Sequence, residues 1–272
     1  MVANDPNARR DAIFDVIVRS YIETAEPVGS RTISRRHSIG LSPASIRNVM
    51  ADLEEQGLLT HRHTSAGRIP TDKGYRYWVD YLMRPEELSE KEKHWILSEL
   101  AKAKTIEGMA ERLSKIISEL TENPALIFIK NLKRVTFLNY LLEDLVKEAQ
   151  RLNDFLEEEP EIFIEGAFRI FEQPEFQSTE KLRQIMFEFE EQAHLLRVLA
   201  RDLEEEGVHV HIGSESPLGD LDDVSLVVKD CYLGETPIGG VAVMGPTRMK
   251  YPKVVSVVGF VADSVTEAMR KF

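Results

Sequence analysis

The chain has a single cysteine, Cys231, in 272 residues, which excludes an intrachain disulfide framework and every metal motif built on several thiolates. Its setting, SLVVKDCYLG, reads as a strand, so the thiol is expected to pack rather than to react. Long apolar runs are also missing. No stretch approaches the ~18–20 apolar residues of a membrane-spanning helix, and the opening MVANDPNARRDAIFD lacks the apolar centre of a secretory signal. A cytoplasmic location without membrane contact is the expectation. There is no internal repeat, no low-complexity tract, no G-x-S-x-G elbow and no other catalytic constellation, so neither enzymatic activity nor a bound cofactor is expected.

A basic surplus is absent too. The net charge of −12 argues against a chain coated for nucleic acid, but the charge is unevenly spread. Residues 1–84 carry 12 Lys+Arg against 10 Asp+Glu, a net +2, whereas residues 85–272 carry a net −14. Within residues 28–68, six arginines face three acids, Asp52, Glu54 and Glu55, and His37, His61 and His63 lie among them.

What is present is ample apolar content, 43%, arranged in periodic blocks. Residues 9–24 place Ile13, Val16, Ile17 and Tyr21 at helical spacing, and Pro27 with Gly29 ends the pattern. Ser30 offers an N-cap for a short helix that stops near Gly40. Ser42 followed by Pro43 caps a third helix that Gly57 closes. This is the spacing of a helix-turn-helix. Two short candidate strands, at 58–61 and 68–70, then flank small residues as a wing would. Thr71 caps the next helix, which turns Tyr75, Trp78, Val79 and Leu82 to one side until Pro85.

Beyond residue 84 a capping box, Ser89 with Glu92, opens a long charged amphipathic region with a break near Lys104 and Thr105. ALIFIKNL is a strand candidate, residues 135–159 read as helix, and EIFIEGAFRIFEQPEF has no clear period. Residues 179–206 read as helix. VHVHIG, VSLVVKDCYL and PIGGVAVMG read as strands before a closing helix from Pro252. The fold class is α+β, in three parts: residues 1–84, a linker with packing helices at 85–123, and an α+β region at 124–272.

The segment HRHTSAGRIPTDKGYRYW, residues 61–78, suggests a phosphate cradle, a metal site or a nucleic-acid contact. A nucleotide-binding loop needs its lysine after the second glycine, but Lys73 precedes Gly74. A metal would find only His61 and His63, too few for a zinc site. His209 and His211 alternate with valines as in a half-solvated strand. Acidic runs such as the one at 202–206 read as a solvated helix face.

The helix after Ser42 is more informative. Ile46, Val49, Met50 and Leu53 form its inner face, leaving Ala44, Ser45, Arg47 and Asn48 outward at its N-terminal end, where a recognition helix enters the major groove. Arg47 can pair with guanine, Asn48 with adenine, and Ala44 can meet a thymine methyl. Ser42 and Arg31 join them as candidate DNA contacts. Arg62, His63, Thr64, Ser65 and Arg68 offer cations and hydroxyls on the wing, and Gly67 lets backbone approach phosphate.

EPVGSRTIS (26–34), LSPASIRNVMADLEEQGLL (41–59) and HTSAGRIPTDKGYRYWVDYL (63–82) closely resemble the heat-inducible transcription repressor family, HrcA. The likeness continues in EFQSTEKLRQIM, VHVHIGSES and VAVMGPTRMKYPKVVSVV. The resemblance implies a winged helix-turn-helix joined to a GAF-like domain with an inserted dimerisation segment. It implies a homodimer on double-stranded DNA at an inverted-repeat operator of chaperone genes, released on heat stress, with the chaperonin helping to keep the repressor active. This chain departs from the family by a shortened sheet and insert between ALIFIKNL and EIFIEG. Other classes remain open at this point: a small-molecule-responsive regulator or an enzyme using the GAF-like part, or a chaperone-binding protein with a vestigial DNA module.

Overall fold

The computed structural model describes residues 6–36, 40–61, 67–129, 161–191, 195, 199, 207–216, 218 and 221–270. The helix expected at 135–159 and most of residues 192–206, the second half of the helix expected at 179–206, lie outside these. The fold is α+β, and the chain divides into two compact units. Unit 1 is Met1–Glu86 with Ile212–Ser225 and Gly245–Pro252; unit 2 is Glu87–His211, Leu226–Met244 and Lys253–Phe272.

Unit 1 begins with α1, Pro6–Thr24, which buries Ile13, Phe14, Ile17, Val18, Tyr21 and Ile22. It ends at Ala25, whose left-handed φ of 55° turns the chain out of the helix. In α2, Ser30–Arg36, Ser30 is the first helical residue rather than the cap; the carbonyl of Gly29 accepts from Thr32 N and Ile33 N. Helix α3, Pro43–Glu55, starts as its sequence dictates: Ser42 Oγ accepts from Ser45 N at 3.1 Å and proline occupies the first turn. It stops where Gly57, at φ +73°, lets Leu58 N reach back to Leu53 O at 2.9 Å. Ile33, Ile46, Met50 and Leu53 close over α1.

Strand β1, Leu59–Thr60, pairs antiparallel with β2, Ile69–Pro70. Val28 adds a bridge to Arg68, with N–H···O bonds of 2.9 Å in both directions. Helix α4, Asp72–Tyr77, is capped by Thr71 and runs into a π turn, Trp78–Leu82, closed by Met83 N on Trp78 O at 2.7 Å. Tyr75 and Trp78 are buried as expected, while Val79 and Leu82 are only half-buried. Trp78 Nε1 donates to Asp15 Oδ1 at 2.7 Å and Tyr77 OH to Asp11 Oδ1 at 3.0 Å, which ties this stretch to α1.

In unit 2 the expected capping box is present at α5, Glu90–Lys102: Ser89 N donates to Glu92 Oε2 at 2.8 Å, and Glu92 N to Ser89 Oγ at 3.4 Å. The helix breaks at Ala103, and Thr105 caps α6, Ile106–Thr121. A five-stranded sheet follows in the order β4-β3-β7-β6-β5, made of β3 (Ala125–Ile129), β4 (Glu161–Glu165), β5 (Val208–His211), β6 (Val224–Leu233) and β7 (Thr236–Pro246). Pairs β3–β4, β3–β7 and β5–β6 are antiparallel. The stretch without a clear period is β4 followed by two 3-10 turns, Ala167–Glu172 and Pro174–Phe176, and then α7, Thr179–Glu190. The closing helix α8, Tyr251–Met269, holds Lys229 through Asp263 at 2.7 Å. Edge strand β5 leaves all four of its residues half-buried instead of alternating. Cys231 is buried in β6, and burial pushes its thiol pKa up.

Candidate nucleic-acid interface

The exposed N-terminal half of α3 is a consequence of its core face. With Ile46, Met50 and Leu53 inward, helical geometry sends Ala44, Ser45, Arg47 and Asn48 to solvent, and all four are exposed. Arg31 is exposed on α2, which packs against α3. Among the described residues, the side chains of Arg31, Arg47 and Asn48 enter no hydrogen bond or ion pair, so their donors are available to an external acceptor. Ser42 is exposed, but its hydroxyl serves the cap and lies 3.0 Å from Ser45 Oγ.

The hairpin base is held from several sides. Glu54, near the end of α3, receives Arg68 Nη2 on Oε2 at 2.7 Å and His61 Nδ1 on Oε1. Both partners flank the hairpin loop, so one carboxylate joins the two arms to the helix that precedes them. Arg68 therefore has its guanidinium on Glu54, and its side chain is three-quarters buried. Its sequence position suggests a DNA contact; its geometry gives it a tie within the fold. Gly67 likewise meets the chain itself: a Cβ there would stand 2.6 Å from the backbone of Pro27 and Val28. Lys73 Nζ donates to Gln56 O at 2.9 Å, a cation at the C-terminus of α3, where the helix dipole favours it. Arg62, His63, Thr64 and Ser65 lie outside the described residues.

Glu54, His61 and Lys73 carry structural tasks that their spacing did not reveal. Their partners are 7 to 17 residues away and meet only through the turn after α3. Among the described residues, no three His, Cys, Asp or Glu side chains converge as a metal site would require. No helix among the described residues is long and apolar enough to cross a membrane.

Comparison with known proteins places this architecture in a family of transcription repressors. The family profile described as "HrcA protein C terminal domain" matches residues 82–255. The "Heat-inducible transcription repressor HrcA" of Pelotomaculum thermopropionicum is 31% identical over 336 aligned positions that cover 97% of each chain. The protein of that name from Carboxydothermus hydrogenoformans is 33% identical, over 95% of this chain and 97% of its own. The chain belongs to the heat-inducible transcription repressor family, HrcA. These alignments are longer than the 272 residues of this chain, so the relatives carry residues that it lacks. A solved structure described as "Crystal structure of a hypothetical protein at 2.2 A resolution" shares the fold, with a TM-score of 0.71 at 23% identity over 97% of this chain and 98% of its own.

Proposed function

We propose that the protein is a homodimeric repressor that binds an inverted-repeat operator of heat-shock chaperone genes and leaves it on heating. The observation that carries this reading is the capped N-terminal end of α3, where Ala44, Ser45, Arg47 and Asn48 are exposed, on a helix whose other end holds the hairpin base through Glu54. Residues 1–84 act as a winged helix-turn-helix, with α3 as recognition helix and the β1–β2 hairpin as wing. Arg47 reads guanine, Asn48 adenine and Ala44 a thymine methyl, and Ser45 adds a contact beside them. Arg31, Ser42, Arg62, His63, Thr64 and Ser65 hold the phosphate backbone. Arg68 contributes from within, by keeping the wing against α3.

Residues 85–123 serve as linker and packing helices, and residues 124–272 as a GAF-like regulatory and dimerisation region with a shortened insert. The antiparallel five-stranded sheet, with α6 against β3 and β4 and α8 tied to β6 through Asp263 and Lys229, supports that assignment. So do Phe168, Phe171 and Phe187 in unit 2, which are 60%, 56% and 57% exposed and fit a protein–protein face. A dimer matters because one recognition helix reads only a few base pairs, while two at fixed spacing multiply their selectivity. Chaperonin is a partner that favours the active form, and the cytoplasm is the site of action.

Gel shift of the purified protein on an inverted-repeat operator and a scrambled duplex, with and without chaperonin, tests the reading. A shift confined to the operator, stronger with chaperonin, is expected. Equal shifts on both duplexes would remove sequence-specific repression.

A further inference from the structure

Two motifs that carry the family resemblance lie outside the candidate DNA contacts: VHVHIGSES, residues 208–216, and GPTRMKY, residues 245–251. Parts of both belong to unit 1, as Ile212–Ser225 and Gly245–Pro252. Ser214 gives Asp72 Oδ2 two hydrogen bonds, from its backbone N at 3.0 Å and its Oγ at 2.9 Å. One turn further along α4, Arg76 grips Glu215: its Nε lies 3.2 and 3.1 Å from the two carboxylate oxygens, and its Nη2 lies 2.6 Å from Oε2. Glu215 Oε2 also accepts from Ile212 N at 3.3 Å, which fixes the loop that carries it. Gly213 permits the approach, with φ +52° and a virtual Cβ only 2.4 Å from Asp72 Oδ2. From the second motif, Arg248 Nη1 donates to Ile22 O at 3.2 Å, in the last turn of α1.

We propose that residues 212–216 form a clasp on α4 that sets the position of the wing, with Ser214 and Glu215 as positioning residues for operator binding. Asp72 stands two residues beyond Pro70, the last residue of β2, so holding Asp72 and Arg76 fixes the outgoing arm of the hairpin. A partly exposed ion pair adds little to global stability, whereas a forked guanidinium–carboxylate contact specifies geometry. The clasp therefore acts on where the wing lies more than on whether unit 1 folds. This inference rests on the repressor reading above.

The test uses the full-length protein and a labelled inverted-repeat duplex. Glu215→Arg sets a cation against Arg76, while Glu215→Gln keeps an oxygen acceptor for it. Glu215→Arg should weaken operator binding about tenfold, within the usual range for coupled sites, and Glu215→Gln clearly less. Because the clasp acts through the wing, Glu215→Arg should cost nothing further in an Arg62→Ala background. Amide exchange at residues 69–76 in DNA-free protein should quicken in Glu215→Arg, with the melting temperature nearly unchanged. Unchanged exchange and affinity in Glu215→Arg would overturn the clasp, as would an equal factor lost in both backgrounds. If the wild type fails to prefer the operator, the repressor reading falls and takes the clasp's role in it; the exchange result separates that outcome from failure of the clasp alone.

Discussion

Among the described residues, the side chains of Arg47 and Asn48 on α3 enter no hydrogen bond or ion pair, so removing either breaks none. Replacing one with alanine should cost roughly 1–3 kcal/mol of operator binding and relax base preference at one position per half-site, read by selection from a randomised duplex pool. Arg62→Ala should instead weaken all sequences alike and lower the salt slope by about one unit. A changed base preference in Arg62→Ala, with none in Arg47→Ala, would show the readout reversed. These outward residues were legible in the sequence because a capped helix with a regular apolar stripe fixes which side chains face away. Arg68 was not legible in this way. Its cation on a hairpin looks like a phosphate contact until the fold brings Glu54 to it.

At the scale of elements, local signals predicted what local physics controls. Ser42–Pro43, the Ser89–Glu92 box and Gly57 mark helix ends because caps act within a few residues, and the structure places those ends there. The pairing of Val28 with Arg68 is long-range, and no propensity announces it. It explains Gly67: Gly67→Ala would push a methyl group into the backbone of residues 27–28 and should destabilise unit 1 by about 1–3 kcal/mol in urea unfolding. A similar case in unit 2 is Glu92. Hydrogen bonds from Lys253 Nζ, and from the Ser89 hydroxyl and backbone, draw its pKa from the ordinary 4.5 down to about 2. A depressed carboxylate stabilises the fold fully above its unfolded pKa, and that contribution is lost as pH falls from about 4.5 to about 2. Glu92→Gln should therefore lower the melting temperature at neutral pH and flatten its fall across that window. An unaltered slope would remove Glu92 from the acid response.

At the scale of the whole molecule, the sequence divides near residue 84, but compact unit 1 also takes in Ile212–Ser225 and Gly245–Pro252. Hydrophobic periodicity reports elements one at a time, so it could not show that late segments return to an early module. The exposed phenylalanines of unit 2 give the proposed dimer a concrete prediction. Phe168→Ser with Phe187→Ser should shift sedimentation toward monomer and weaken operator binding, while each recognition helix stays intact. The proposed release on heating needs only a small change in the proposed dimer: losing about 1–3 kcal/mol of coupling lowers occupancy ~5- to 150-fold.

The most direct test of the account is operator affinity followed by anisotropy as temperature rises, beside the thermal unfolding of free and DNA-bound protein. Preference for the inverted repeat over a scrambled duplex should collapse several degrees below global unfolding. Affinity that stays constant up to the unfolding transition would contradict it.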